Sequence, residues 1–320
     1  MSYNETYAEW DTIETINALK DSLELFHDVT LIEADENAFE KFKKLRPDLV
    51  FNVAECANGI SREAQIPAML DMLQIPYTGS DPLTLATCLD KARTKEVLSY
   101  HNIPTAKFLL VESISDLGNF DLRFPVIVKP VAEGSGKGIF NSSLLNNLDK
   151  LKENLTDSLK TYNQPFLVEE FLPGREFTVA IIGNGEDTEV LPIVEINLSE
   201  LPKELAPIYS YEAKWVVDTR DNPLNIFSCP AQIDTELQKK ITNIALKTYK
   251  VLRCRDWSRI DIRLDANGEP NIIEINPLPG ILPDPKDNSC FPKAARTGGM
   301  SYEEMINKVL FTAARRYSLV

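Results

Sequence analysis

The run IIEINPLPGI, residues 272–281, sets Glu274 and Asn276 into an otherwise apolar stretch and closes it with Pro277, Pro279 and Gly280. In a strand, residues two apart share a face, so Glu274 and Asn276 project side by side. Upstream, Asp261 lies in the apolar run of residues 259–264, and Asp265-Ala266-Asn267-Gly268 supplies a turn able to join the two runs as a hairpin. Three oxygen-bearing side chains then converge on one sheet face. An oxygen-only site suits a hard cation, and Mg²⁺ held by few protein groups usually shares its shell with phosphates. The rest of the chain is therefore read for phosphate ligands.

The 320 residues carry 43% hydrophobic and 26% charged side chains, ordinary for a folded globular chain with ample core. A formal charge of −14 argues against nucleic acid or an anionic membrane surface as general partners. No apolar run approaches a membrane span, and the N-terminal MSYNETYAEW has no basic-then-apolar signal pattern. The five cysteines show no metal-ligand pairing and read as thiols in a reducing cytoplasm. Only His27 and His101 are present, neither near a Ser or Cys motif, which argues against His-based nucleophilic catalysis.

Apolar spacing predicts helices over residues 10–25, 37–45 and 62–73, alternating with strands over 29–33 and 48–54. That alternation implies a parallel α/β layer, with no opening strand ahead of its first helix. A second unit follows, with helices over 83–89 and 92–100, strands over 106–111 and 125–129, a helix over 144–162 and a strand over 166–171. From Glu176 the chain is mostly strand until a helix over 235–252. Residues 198–230 form a long, polar, Pro-broken segment, a pattern typical of a functional lid or of a disordered stretch.

Four further stretches carry candidate chemistry. In FPVIVKPVAEGSGKGI, residues 124–139, a β-rich run ends at Lys129, and a Gly-rich turn after Glu133 includes Gly134, Ser135, Gly136 and Gly138. Glycines allow close backbone approach, and their N–H groups can cradle phosphate oxygens. This is not a Walker A loop, and taken alone it reads equally as a hairpin with a solvated lysine. In PFLVEEFLPGREFTVAI, residues 165–181, Glu169 and Glu170 end one apolar run and Glu176 opens the next. Those carboxylates suit a ribose or an exocyclic amine, or simply a charged connection. Lys91, Arg93 and Lys95 read as a solvated helix face, and Lys214 in YEAKW, inside the long polar segment, reads equally as a lysine that closes over a transferring phosphoryl group or as an ordinary surface lysine.

The order of these motifs, DK…TK, VKP…EGSGKG, VEEFLPGREFTVA, YEAKW, DWSRIDIRLD and IIEINPLPG, resembles the ATP-grasp fold, and more narrowly its D-alanine–D-alanine ligase branch. IPYTGSDPLTLATCLDKARTK is similar to that branch as well. The resemblance implies an α/β and α+β fold: an N-terminal pre-ATP-grasp domain over 1–86, a central subdomain over 87–168 and a C-terminal subdomain over 169–320. It implies ATP as substrate, bound between the last two units, and two Mg²⁺ ions, for which Mn²⁺ can stand in.

Residue by residue, the resemblance implies Lys91 and Lys129 on the ATP phosphates, with Glu133, Ser135 and the neighbouring glycines in the phosphate-covering loop. Glu169 and Glu170 fall near the adenine, Glu176 on the ribose, and Lys214 on the γ-phosphate. Asp261, Glu274 and Asn276 are the implied metal ligands. Arg259 and the Gly280 N–H would stabilise the oxyanion of a tetrahedral intermediate. Ser289 matches the position that binds the second substrate's carboxylate, and Glu9 a glutamate that meets the first substrate's amine. The implied reaction is amide-bond formation through an acyl phosphate, with small-molecule substrates, and similar proteins commonly dimerise through the N-terminal unit.

Three departures concern the amino-acid pockets and not the nucleotide site. The family's opening strand and its glycine-rich turn have no counterpart after Met1. Where the branch has a His-Gly segment, this chain reads Asn52-Val53-Ala54-Glu55-Cys56-Ala57-Asn58-Gly59. The aromatic after Lys214 is Trp215, not Tyr. A ligase for another amino acid, peptide or small carboxylic acid, and a catalytically silent ATP-binding protein, therefore stand as alternatives.

Overall fold

The computed structural model describes residues 10–320. The N-terminal portion holds α1 (Ile13–Glu24), α2 (Ala38–Leu45) and α3 (Gln65–Leu73). Residues 29–33, expected as a strand, form no ladder. Of 48–54, only Val50 pairs, in a parallel bridge to Tyr77 closed by the Thr78 N–H on the Val50 carbonyl at 2.9 Å. Among the described residues the parallel layer is thus reduced to one bridge. Its apolar side chains still pack, with Phe42, Ile66, Leu70 and Tyr77 forming a small core.

Helices α4 (Pro82–Leu89) and α5 (Lys91–Tyr100) follow each other almost without a gap. Asp81 caps α4 through the Thr84 N–H, and Pro82 pre-sets its first turn. Asp90 caps α5 through the Arg93 N–H, which places Lys91 at the first helical position. Sequence-local capping thus fixes where Lys91 starts its reach.

The central sheet contains β1 (Phe108–Val111), β2 (Val126–Pro130), β3 (Leu144–Leu145) and β4 (Phe166–Glu170), in the antiparallel order β1-β4-β2-β3. Helix α6 (Leu148–Tyr162) covers one face, burying Leu151 and Leu155 against Val126, Val128, Phe166 and Val168. Burial of each leucine is worth about 2 kcal/mol. Strand alternation leaves Lys129 and Glu169 on the opposite face.

The larger sheet runs β10-β9-β5-β7-β8, with β6 beside β5. Its strands are β5 (Glu176–Ile182), β6 (Glu189–Val190), β7 (Val194–Ile196), β8 (Phe227–Ser228), β9 (Trp257–Leu264) and β10 (Pro270–Asn276). Helix α7 (Thr235–Val251) packs Ile241, Ile244 and Ala245 on the face formed by Phe177, Val179, Ile260 and Ile262. Helices α8 (Cys290–Thr297) and α9 (Tyr302–Arg316) complete the chain, with Phe291 edge-on to the buried Trp257 at 5.6 Å. No described helix is long and apolar enough to cross a membrane.

Candidate active site

The 265–268 turn forms as the sequence predicts: the Gly268 N–H reaches the Asp265 carbonyl at 3.1 Å, and the Asp265 side chain accepts from Asn267 and Glu269. In the β9–β10 ladder Glu274 stands opposite Asp261, and Asn276 opposite Arg259. A bulge makes this register. Ile272 pairs with Ile262 and Glu274 with Asp261, so Ile273 is the extra residue between them. A bulge re-aims the side chains beyond it; here it turns Glu274 and Asn276 onto the Asp261 face while Ile272 and Ile275 stay in the core. The pairing of β5 with β9 adds Glu176, opposite Arg263, to that same face.

Each carboxylate on this face has a cation. Arg259 forks Asp261, Nε to Oδ1 at 3.1 Å and the guanidinium to Oδ2 at 3.0 Å, and the Asn276 amide donates to Asp261 at 3.4 Å. Lys91 Nζ lies 2.9 Å from Glu274, and Arg263 lies 3.2 Å from Glu176. Burial alone would raise the Glu274 carboxyl, but the charges of Lys91 and Lys129 outweigh it and keep it lowered. At Glu176 burial prevails over Arg263 and the carboxyl is raised.

Across the cleft, Lys129 from β2 pairs with one oxygen of Glu169, and Lys95 from α5 holds the other at 2.8 Å. Burial pushes the Glu169 carboxyl up, yet the two lysines bring it down to about 2. Glu170, the next residue in the strand, faces the other way and is held by Arg123 at 2.8 Å. The adjacent glutamates expected to act together are thus separated by strand alternation. Lys95, read from the sequence as part of a solvated helix face, is 1% exposed.

The Gly-rich loop hangs over this cleft. Ser135, at φ +51°, and Gly136, at φ +75°, form a tight turn in which the Lys137 N–H meets the Gly134 carbonyl at 2.9 Å. At Gly138, φ +74°, a Cβ would sit 2.7 Å from Pro130 Cγ, so only glycine fits. Glu133 is tied down by Lys137 at 2.9 Å and Gln164 at 2.7 Å, and its carbonyl accepts from Lys91.

The long 198–230 segment docks on that loop. The Tyr211 N–H donates to the Ile139 carbonyl at 2.8 Å, the Asn141 N–H to the Glu212 carboxylate at 3.1 Å, and the Trp215 indole to the Ser135 carbonyl at 3.0 Å. A π-helical turn, Ala213–Val217, carries Lys214. Burial, helped by Arg259, lowers the Lys214 ammonium to about 8. Lys214, Arg259, Glu274, Asn276, Ser135 and Gly280 line one cavity. Ser289 is just outside, its hydroxyl donating to the Gly280 carbonyl at 3.3 Å. Glu9 lies outside the described residues.

Asp11, Glu55 and Glu63 line the same cavity, and burial raises the Asp11 carboxyl to about 6. Asp11, Glu63, Arg263 and Lys95 are the neighbours that sequence reading missed. Arg263 had a signal, being two residues beyond Asp261 on one strand face, and Lys95 had another, standing one helical turn after Lys91. Asp11 had none. Among the described residues no three His, Cys, Asp or Glu side chains gather as a metal group; the candidate set is two carboxylates and an amide.

The family model for the D-ala D-ala ligase C-terminus matches residues 97–311. The protein y4sG of Sinorhizobium fredii is 36% identical over 299 residues, covering 91% of this chain and 84% of its own. The D-alanine–D-alanine ligase of Pseudothermotoga lettingae is 32% identical over 301 residues, covering 93% of each. In fold, the chain is similar to the crystal structure of D-alanine–D-alanine ligase from Bacillus anthracis complexed with ATP, with a TM-score of 0.73 at 21% identity, over 100% of this chain and 96% of that one.

Proposed function

The chain belongs to the D-alanine–D-alanine ligase family, with its ATP-grasp fold, and we propose that it is an ATP-dependent ligase joining the carboxylate of one amino acid to the amine of another. The observation that carries this reading is the single cavity in which Lys214, Arg259, Glu274 and Asn276 meet beneath the Gly134–Gly138 turn. A carboxylate and an amine do not condense in neutral water without activation. In the proposed reaction the γ-phosphoryl group passes to a carboxylate oxygen, giving ADP and an acyl phosphate. The amine then attacks the carbonyl carbon and loses a proton, and inorganic phosphate leaves with the former carboxylate oxygen.

We place ATP between the four- and six-stranded sheets. Lys91 and Lys129 supply fixed positive charge to its phosphates, Glu169 and Glu176 receive the base and ribose, and Ser135 with its glycine neighbours covers the phosphates through backbone N–H groups. Lys214 neutralises charge on the transferring group, and the docked lid excludes water that would hydrolyse the acyl phosphate. Arg259 and the Gly280 N–H stabilise the oxyanion, and Ser289 binds the second carboxylate.

Two carboxylates opposite each other in the ladder and an amide on the same face form an all-oxygen donor set, which fits a hard cation. Asp261, Glu274 and Asn276 would hold Mg²⁺. Bound there, it would offset negative charge on the phosphates.

The test is phosphate release from ATP and Mg²⁺ across single and paired D- and L-amino acids. Turnover stimulated by D-alanine assigns the D-alanine–D-alanine reaction, and turnover with another pair keeps the mechanism and changes the substrate. ATP binding with no stimulated turnover by any pair contradicts the ligase reading.

A further inference from the structure

Lys95 is a buried charge for which the proposed reaction has no use. It lies on α5 one turn beyond Lys91, is 1% exposed, and has its ammonium on protein partners. Its ammonium is 2.8 Å from Glu169 Oε2 and donates to the Thr105 hydroxyl at 2.5 Å. Thr105 in turn donates to the Ile272 carbonyl at 2.8 Å, at the start of the bulge in β10. Lys95 is therefore fixed by three elements: α5, β4 and β10.

Glu169 takes Lys129 on one oxygen and Lys95 on the other. The trio of two lysines and one glutamate carries net positive charge in a dry setting, since Glu169 and Lys129 are also almost fully buried. Burying a second lysine has a desolvation cost, visible in the lowered Lys95 ammonium, for which burial is the largest cause. If Lys129 were the sole partner of Glu169, its turn toward phosphate would strand a buried carboxylate, an expensive state. A second, immobile cation removes that cost.

We propose that Lys95 is a positioning residue of the nucleotide site, the fixed counter-cation that keeps Glu169 charged and oriented while Lys129 engages phosphate. The proposal rests on the reading of Glu169 and Lys129 as nucleotide ligands. It separates two roles within DKARTK: Lys91 faces the metal strand, and Lys95 holds the base-side carboxylate from behind.

The test compares Lys95→Met, Glu169→Gln and the double variant by steady-state kinetics in ATP and by calorimetric ATP binding in two buffers of different ionisation enthalpy. Loss of the buried charge pair, valued like a hydrogen bond to a charged group, corresponds to a rise in KM for ATP of about tenfold to a hundredfold. The expected result for Lys95→Met is that rise, with kcat changed only a few-fold and with proton uptake accompanying ATP binding as Glu169 loses its remaining partner. In the Glu169→Gln background the same substitution should add no further weakening and no proton uptake. Equal weakening in both backgrounds, or an unchanged KM, overturns the proposal.

If Glu169→Gln alone leaves ATP binding unchanged, the nucleotide-site reading of Glu169 fails and the proposal with it, whatever Lys95→Met does. Should Lys95→Met not fold, Thr105→Val removes the hydroxyl that anchors Lys95, along with its bond to the Ile272 carbonyl. It must raise KM for ATP in the same direction by a smaller factor, and no rise overturns the proposal.

Discussion

Lys91 and Glu274 are 2.9 Å apart, joining the first residue of α5 to the strand that carries the metal-candidate side chains. The pair places one residue proposed for phosphate beside one proposed for Mg²⁺. Glu274→Gln keeps the shape and removes the charge. It should lower turnover by on the order of a hundredfold or more and shift half-saturation by Mg²⁺ to higher concentration. A Mg²⁺ titration of phosphate release checks both, and an unchanged titration removes Glu274 from the metal set.

Lys214 gives a pH dependence with a definite sign. Its ammonium is lowered to about 8, so its positive charge is present below that pH and lost as pH rises through it. Because kcat/KM reports the free enzyme, kcat/KM for ATP should fall on the alkaline side with a midpoint near 8. Lys214→Met should lower the plateau and flatten that limb. Persistence of the limb in the variant would assign it to another group.

Trp215 closes the lid on the Gly-rich loop through its indole N–H. Trp215→Phe keeps a ring and removes the donor. One ordinary hydrogen bond makes the expected rise in KM for ATP roughly twofold to tenfold. Phosphate release without the second amino acid should also increase as water enters, measured as the ratio of uncoupled to coupled turnover.

A stability prediction concerns the fully buried Asp256, which accepts from Arg316 at 2.7 Å, Gly79 N–H at 2.8 Å and Asn184 at 2.7 Å. One carboxylate thus ties α9, the stretch before α4 and the loop after β5 to the start of β9. Asp256→Ala leaves Arg316 without its carboxylate, with only the Tyr77 and Gly79 carbonyls to bond, and should cost about 3–5 kcal/mol. Urea unfolding checks it, with the midpoint lowered.

Much of the site was legible because strand alternation is rigid. Asp261, Arg259 and Arg263 follow a period of two on β9, and Glu274 with Asn276 do so on β10. The Ile272-Ile273 pair breaks that period, and it takes the partner strand to show which isoleucine is the bulge. Lys95 had its spacing from Lys91 as a signal, but its burial was illegible for a different reason. Its burial is made by Thr105 and Glu169, from a connecting segment and another sheet, so its own neighbours in sequence describe only an ordinary charged helix. The N-terminal strands show the reverse: residues 29–33 have strand composition but no described partner to form a ladder with.

The central claim, activation of a carboxylate by phosphoryl transfer, is tested most directly by isotope transfer. The accepted first substrate is labelled with ¹⁸O in its carboxylate, and the inorganic phosphate released is analysed by mass spectrometry. An acyl-phosphate route places one substrate-derived ¹⁸O in each phosphate released. Amide product accompanied by unlabelled phosphate would contradict the account.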